Sequence, residues 1–174
     1  MKKLCIGIIV YFIAAVHCFA DNDILISYIN EQLNGKRMQQ LFKQYNEKPD
    51  IKKQPDFVSY LFKNNGVEFG FYKNKCMLIM INSASHMNMS SFTDHPDIIN
   101  IAFGDTPENV KTAINDLELK SIDEETGNMF YSLDKSDIYS NKKPFIYSFL
   151  FIFNPDDNTS KLEMVYYQIP LISY

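Results

Sequence analysis

Apolar positions along the chain recur with two different periods, and the switches between them divide it into elements. Leu25, Tyr28, Ile29 and Leu33, then after Gly35 Met38, Leu41, Phe42 and Tyr45, fall three or four residues apart. That spacing predicts one broken helix or two short ones over 23–45, with Asp21 to Asp23 available as caps. Pro49 and Pro55 enforce a non-helical passage, and three β-like runs follow at 57–62, 67–72 and 76–82. Their connections, Lys63-Asn64-Asn65-Gly66 and Lys73-Asn74-Lys75, have hairpin chemistry, so an antiparallel meander is expected.

The stretch 83–100 has no clear period and reads as a long loop. The pattern then begins again. Gly104-Asp105-Thr106-Pro107-Glu108 combines a capping residue, a proline suited to the first turn and an early acid, and Val110, Ala113, Ile114 and Leu117 supply an apolar stripe. Three further β-like runs occupy 129–133, 145–153 and 162–169. The run 145–153 is apolar on both faces, which predicts a central strand covered on both sides. The expected fold class is therefore α+β, with two tandem units of helix plus three-stranded antiparallel sheet: a first unit over 21–82, a connecting loop over 83–100 and a second unit over 101–174. The repeated order, with Gly35 and Gly104 at comparable places, suggests a divergent duplication.

Residues 1–20 have the build of a cleaved secretory signal peptide: Lys2 and Lys3, an apolar run over 4–16, then small residues ending at Ala20. The run is too short for a membrane span, so none is expected. Cys18 is a conceivable lipid anchor, but bulky His17 stands where such signals carry a small residue. Loss of Lys2 and Lys3 leaves 15 basic against 21 acidic side chains, a net of −6, which disfavours nucleic acid as a partner. Cys76 is then the remaining cysteine, and a core without disulfides fits a periplasmic or secreted bacterial protein.

Phe103-Gly104-Asp105-Thr106-Pro107-Glu108-Asn109-Val110, with strand ends Phe151-Ile152-Phe153-Asn154 and Lys161-Leu162-Glu163-Met164-Val165, resembles a repeat of bacterial envelope proteins. In that repeat a Gly-x-Thr-x-Glu-x-Val helix start leads into a helix and a three-stranded sheet, as in the BamE-like SmpA/OmlA lipoproteins and the β-lactamase inhibitor protein, a tandem of two units. The similarity covers roughly 101–169, with a fainter echo over 33–82; the insertion 132–143 departs from it. The resemblance implies a non-enzymatic binder, often an inhibitor or immunity-type protein, and carries over no binding residues.

Chemistry for catalysis is sparse. The histidines beyond the leader are His86 and His95, and Cys76 sits among Met77, Leu78, Ile79 and Met80, the setting of a packing residue rather than a nucleophile. Glu124/Glu125 and Asp156/Asp157 read as solvated turn charges, and neither a calcium loop nor a phosphate cradle is present, so no cofactor is expected. Soft ligands do gather at His86, Met87, Met89 and His95, which makes copper handling the alternative from another class. The preferred reading is a protein-binding module that docks a secreted enzyme, a toxin or envelope machinery through two long loops. His86, Met87, Met89, Phe92 and His95 would supply adaptable contacts, with Asp134, Asp137 and Tyr139 as an acidic and aromatic rim. Tyr166 and Tyr167 are adjacent in a strand run, so at least one is expected on the outer sheet face, where aromatics anchor protein interfaces.

Overall fold

The structure, a computed structural model, describes residues 24–85, 87–135 and 145–169. The expected leader, its Cys18 and the expected caps Asp21 to Asp23 lie outside the described residues. Eight strands dominate: β1 (Asp50–Lys53), β2 (Phe57–Phe62), β3 (Val67–Tyr72), β4 (Lys75–Asn82), β5 (Glu118–Ile122), β6 (Met129–Lys135), β7 (Phe145–Asn154) and β8 (Thr159–Gln168). They form one antiparallel sheet in the order β1-β2-β3-β4-β8-β7-β6-β5. Three short helices accompany it, α1 (Lys36–Gln44), α2 (Met89–Phe92) and α3 (Pro107–Ala113), after a 3-10 turn at Leu25–Tyr28. Among the described residues no helix is long and apolar enough to cross a membrane.

This corrects the expected fold class. The protein is predominantly β, one eight-stranded sheet rather than two α+β units with a three-stranded sheet each. Two causes explain the difference. First, β1 and β5 are edge strands exposed along their whole length, rich in charge and poor in alternation, so they leave little periodic signal. Second, β4 pairs with β8, from Leu78↔Gln168 to Asn82↔Met164, and this seam fuses the two meanders into a continuous sheet.

Local chemistry sets the connections. Lys73 and Asn74 both adopt positive φ, the backbone of a type I′ turn whose twist suits a hairpin. Gly66 is left-handed at φ 62°, and a Cβ there would strike the Ser85 amide and the Asn82 side chain. Thr106 Oγ1 accepts from the Asn109 amide at 3.4 Å and Pro107 opens α3, which is the start expected for that helix.

The three helices and the 3-10 turn all pack on one face of the sheet. Met38 and Leu41 of α1 are buried, and Phe42 rests on Tyr60, Phe62, Phe69 and Phe71. Val110 of α3 joins the same core, which runs along the inner side chains Phe69, Ile81, Val165, Phe149 and Tyr131. Strand β7 is interior but covered on this side only: Phe149 is fully buried whereas Ile152, pointing the other way, is 38% exposed. The expectation of cover on both sides is thereby corrected.

The stretch 83–100 is no surface loop. Asn88 Oδ1 caps α2 by accepting from the Ser91 amide at 3.0 Å, and Met89, Phe92, Thr93, His95 and Ile98 are all buried against the sheet. Met89 and Phe92 recur three apart, as do Ile98 and Ile101, but runs this short carry little periodic weight.

Candidate functional site

Of the expected contact residues, Met87, Met89, Phe92 and His95 do not form a surface cluster. Met89, Phe92 and His95 are 3%, 0% and 2% exposed and buried against the sheet, and Met87 is half-buried against the core. Thr93 Oγ1 shares a hydrogen bond of 2.6 Å with Tyr147 Oη and accepts from the His95 amide at 3.1 Å. The His95 ring meets Tyr147 edge-on at 5.7 Å, and its Nδ1 accepts from the Asp97 amide at 3.3 Å. His95 held in this way and Met89 buried in packing present no ligand at the surface. Asp134 pairs through its backbone with Ile146, while His86, Asp137 and Tyr139 lie outside the described residues.

Cys76 does not have the setting of an activated nucleophile. Its side chain is fully buried, and burial pushes the thiol up to about 12, against a weaker lowering effect of the Leu78 backbone. Glu124, Glu125, Asp156 and Asp157 are exposed in the turns that follow β5 and β7, without the desolvation that acid catalysis needs. The depression beside α1, about 460 Å³ and lined by Gln39, Phe42, Lys43, Asn46, Glu47 and Lys48, is open to solvent. Its Glu47 carboxylate is already engaged by the Asn64 amide and the Asn65 side chain.

What stands out is the face of the sheet opposite the helices. Strand pairing sets its side chains in rows that cross the molecule. One row runs Asp50, Leu61, Glu68, Met80, Tyr166, Ser148, Ser132 and Glu118 across all eight strands, and the next runs Asn82, Met164, Leu150, Phe130 and Ser121. No family model matches the chain, and no curated protein or solved structure matches it significantly.

This face is apolar and aromatic at its centre, and among the described residues no helix covers it. Tyr167 turns inward, 5% exposed, with its ring 4.9 Å from Tyr147; Tyr166 turns outward and is half-buried. The rings of Tyr166 and Phe130 approach to 5.9 Å from β8 and β6, across the intervening β7. That approach is possible because β7 places the small Ser148 in the row of Tyr166. A similar device operates on the other half, where Phe57 lies over Gly70: a Cβ at Gly70 would sit 2.5 Å from Phe57 Cζ. Large rings laid over small residues give the face relief.

Its electrostatics centre on Glu68, half-buried between Leu61 and Met80. Burial raises the Tyr166 phenol, and the Glu68 charge raises it further, so the tyrosine stays a neutral donor; it donates to Met164 Sδ at 3.2 Å. Sequence reasoning singled out Tyr166 and Tyr167 but missed Glu68, Met80 and Phe130. The signal available was the alternation of β3, in which Glu68 stands as the one charge in the run Val67 to Tyr72.

Proposed function

We propose that this chain is an exported, non-catalytic protein-binding module of the inhibitor or immunity type, acting in the periplasm or outside the cell. It docks its partner through the outer face of the sheet. One observation carries the reading: an aromatic, apolar surface built on all eight strands that the helices leave open. An aromatic surface that stays partly exposed is a favoured place for a partner, and half-buried aromatics on a rigid sheet bring contact area at low cost in side-chain entropy. The signal-like N-terminus supports export, and the acidic balance supports a basic target surface.

The test is titration calorimetry of the purified protein against the secreted hydrolases or toxins encoded beside its gene, with the enzymatic activity of each target followed in parallel. Binding with inhibition is expected, and Phe130→Glu with Tyr166→Glu is expected to weaken it at least a hundredfold while the fold persists. A tight partner whose affinity ignores both substitutions would remove the outer face from consideration. Absence of binding to every such product would overturn the inhibitor reading.

A further inference from the structure

The half-buried carboxylates among the described residues are Glu31, Glu47, Glu68, Asp105 and Glu163. Four of them have partners in the fold. Glu31 pairs with Arg37 at 3.1 Å, Glu47 accepts from the Asn65 amide nitrogen at 2.7 Å, Asp105 accepts from the Ala102 amide at 2.7 Å, and Glu163 is bonded by the Ser83 hydroxyl. Glu68 has neither a hydrogen bond nor an ion pair among the described residues. Its cross-strand neighbours, Leu61 on one side and Met80 on the other, offer none, and Gly70, next along the same face of β3, has no side chain. Partly desolvating a carboxylate without compensation is unfavourable, and proteins ordinarily answer it with a donor or a cation.

We infer that the missing partner arrives from outside: the protein that docks on the outer face places a cationic side chain, an arginine foremost, between Glu68 and Tyr166, which flank the buried Met80. This rests on the docking reading above and adds the chemistry of the contact. A guanidinium fits the place in two ways at once. Its planar fork can donate two parallel hydrogen bonds to the Glu68 carboxylate, and its face can lie on the Tyr166 ring, whose quadrupole attracts a cation. The ring remains a neutral phenol at physiological pH, so it adds no second negative charge. Lysine could satisfy the charge but not the flat stacking. In the acidic surroundings of this chain the same cation is also drawn in from a distance.

The experiment uses the purified full chain, labelled with nitrogen-15, titrated with a capped Gly-Arg-Gly peptide and with the same peptide carrying citrulline, the uncharged isostere of arginine. Saturable shifts are expected at the amides of Glu68, Met80 and Tyr166 with the arginine peptide, with binding roughly tenfold weaker for citrulline. Glu68→Gln, an isosteric change at a surface carboxylate, is expected to bring the arginine peptide down to the citrulline level while the remaining amide spectrum stays in place. Tyr166→Leu is expected to weaken arginine binding and leave the citrulline peptide unaffected. Equal binding of the two peptides, indifference to Glu68→Gln, saturation elsewhere on the molecule, or no shifts up to the solubility limit of the peptide would each overturn the inference. The docking reading fails separately, through the Phe130 and Tyr166 substitutions measured against a protein partner.

Discussion

The Thr93 hydroxyl lies 2.6 Å from the phenolic oxygen of Tyr147, and the bond they share ties the central stretch of the chain to the middle of the sheet. Both residues are buried, and Thr93 also receives the His95 amide, so the pair closes a small polar network inside an aromatic setting of Phe92, His95 and Tyr167. Tyr147→Phe is expected to cost about 1–2 kcal/mol in urea unfolding, the penalty of stranding one buried hydroxyl. Thr93→Val takes a buried partner from both the Tyr147 hydroxyl and the His95 amide and is expected to cost more. The double variant should be close to Thr93→Val alone; full additivity would show that the two groups do not interact.

Tyr45 offers the reverse case. Its Oη is buried beside Phe62 and Phe69 and has no hydrogen-bond partner among the described residues. Removing an unsatisfied buried hydroxyl while keeping the ring relieves a desolvation penalty, so Tyr45→Phe is expected to raise stability by about 1 kcal/mol. A loss of comparable size in the same assay would mean that the phenol does find a donor or acceptor in solution.

Gly70 and Phe57 form a testable couple on the outer face. A methyl at Gly70 would sit 2.5 Å from Phe57 Cζ and 3.0 Å from Leu78 Cβ, so Gly70→Ala is expected to displace the ring and cost about 1–3 kcal/mol. In a Phe57→Ala background the clash with the ring is gone. There the same change should be neutral or stabilising by up to about 1 kcal/mol, because alanine holds a strand with less entropy loss than glycine. An identical cost in both backgrounds would place the conflict at Leu78 instead.

The pH dependence follows from three groups held neutral by the fold. Burial raises the Cys76 thiol from 9.0 to about 12, raises the Tyr45 phenol with a further push from Tyr28, and raises Tyr166 with a push from Glu68. Each ionises near its ordinary value once the chain unfolds. Their contribution is therefore complete below about pH 9 and is lost as the pH rises above it. The urea midpoint should be level through neutrality and fall above about pH 9, with a shallower fall for Cys76→Ala. Native Cys76 should react with a disulfide reagent at pH 8 only as fast as the protein opens. A midpoint that climbs above pH 9, or immediate labelling of the native thiol, would contradict this.

The interior strands were legible because burial writes itself into alternation. The runs at 57–62 and 67–72 coincide with β2 and β3, and those at 76–82, 129–133, 145–153 and 162–169 fall within a few residues of β4, β6, β7 and β8. Thr106 and Pro107 announced α3 for the same reason, since a cap is a local event. The edge strands were not legible: β1 presents Ile51 and β5 presents Leu119 and Ile122 as their apolar residues, 47%, 46% and 51% exposed, among charges that serve to keep an edge from pairing. Nor was the seam, because the match of Ile81 with Val165 is decided by tertiary packing and not by either segment alone. The candidate site suffered most. Composition drew attention to the sulfur and imidazole of 86–95, whereas the outer face depends on register, which sets Glu68, Met80 and Tyr166 in one row only after three strands have paired.

The pairing of β4 with β8 also dictates an order of assembly. Strands β1 to β4 can zip up from hairpin to hairpin, and so can β5 to β8, but positions 78–82 find their mates only at 164–168. Closing so long a loop is entropically slow, so the centre of the finished sheet is the last part to form. Until then Cys76, Met77, Leu78, Ile79, Met80 and Ile81 stand as an apolar, uncharged edge, the kind of segment that recruits its own copies. Refolding yield should therefore fall with protein concentration far more steeply than the stability of the native sheet would suggest, and charged residues placed along the outer side of β4 should rescue it.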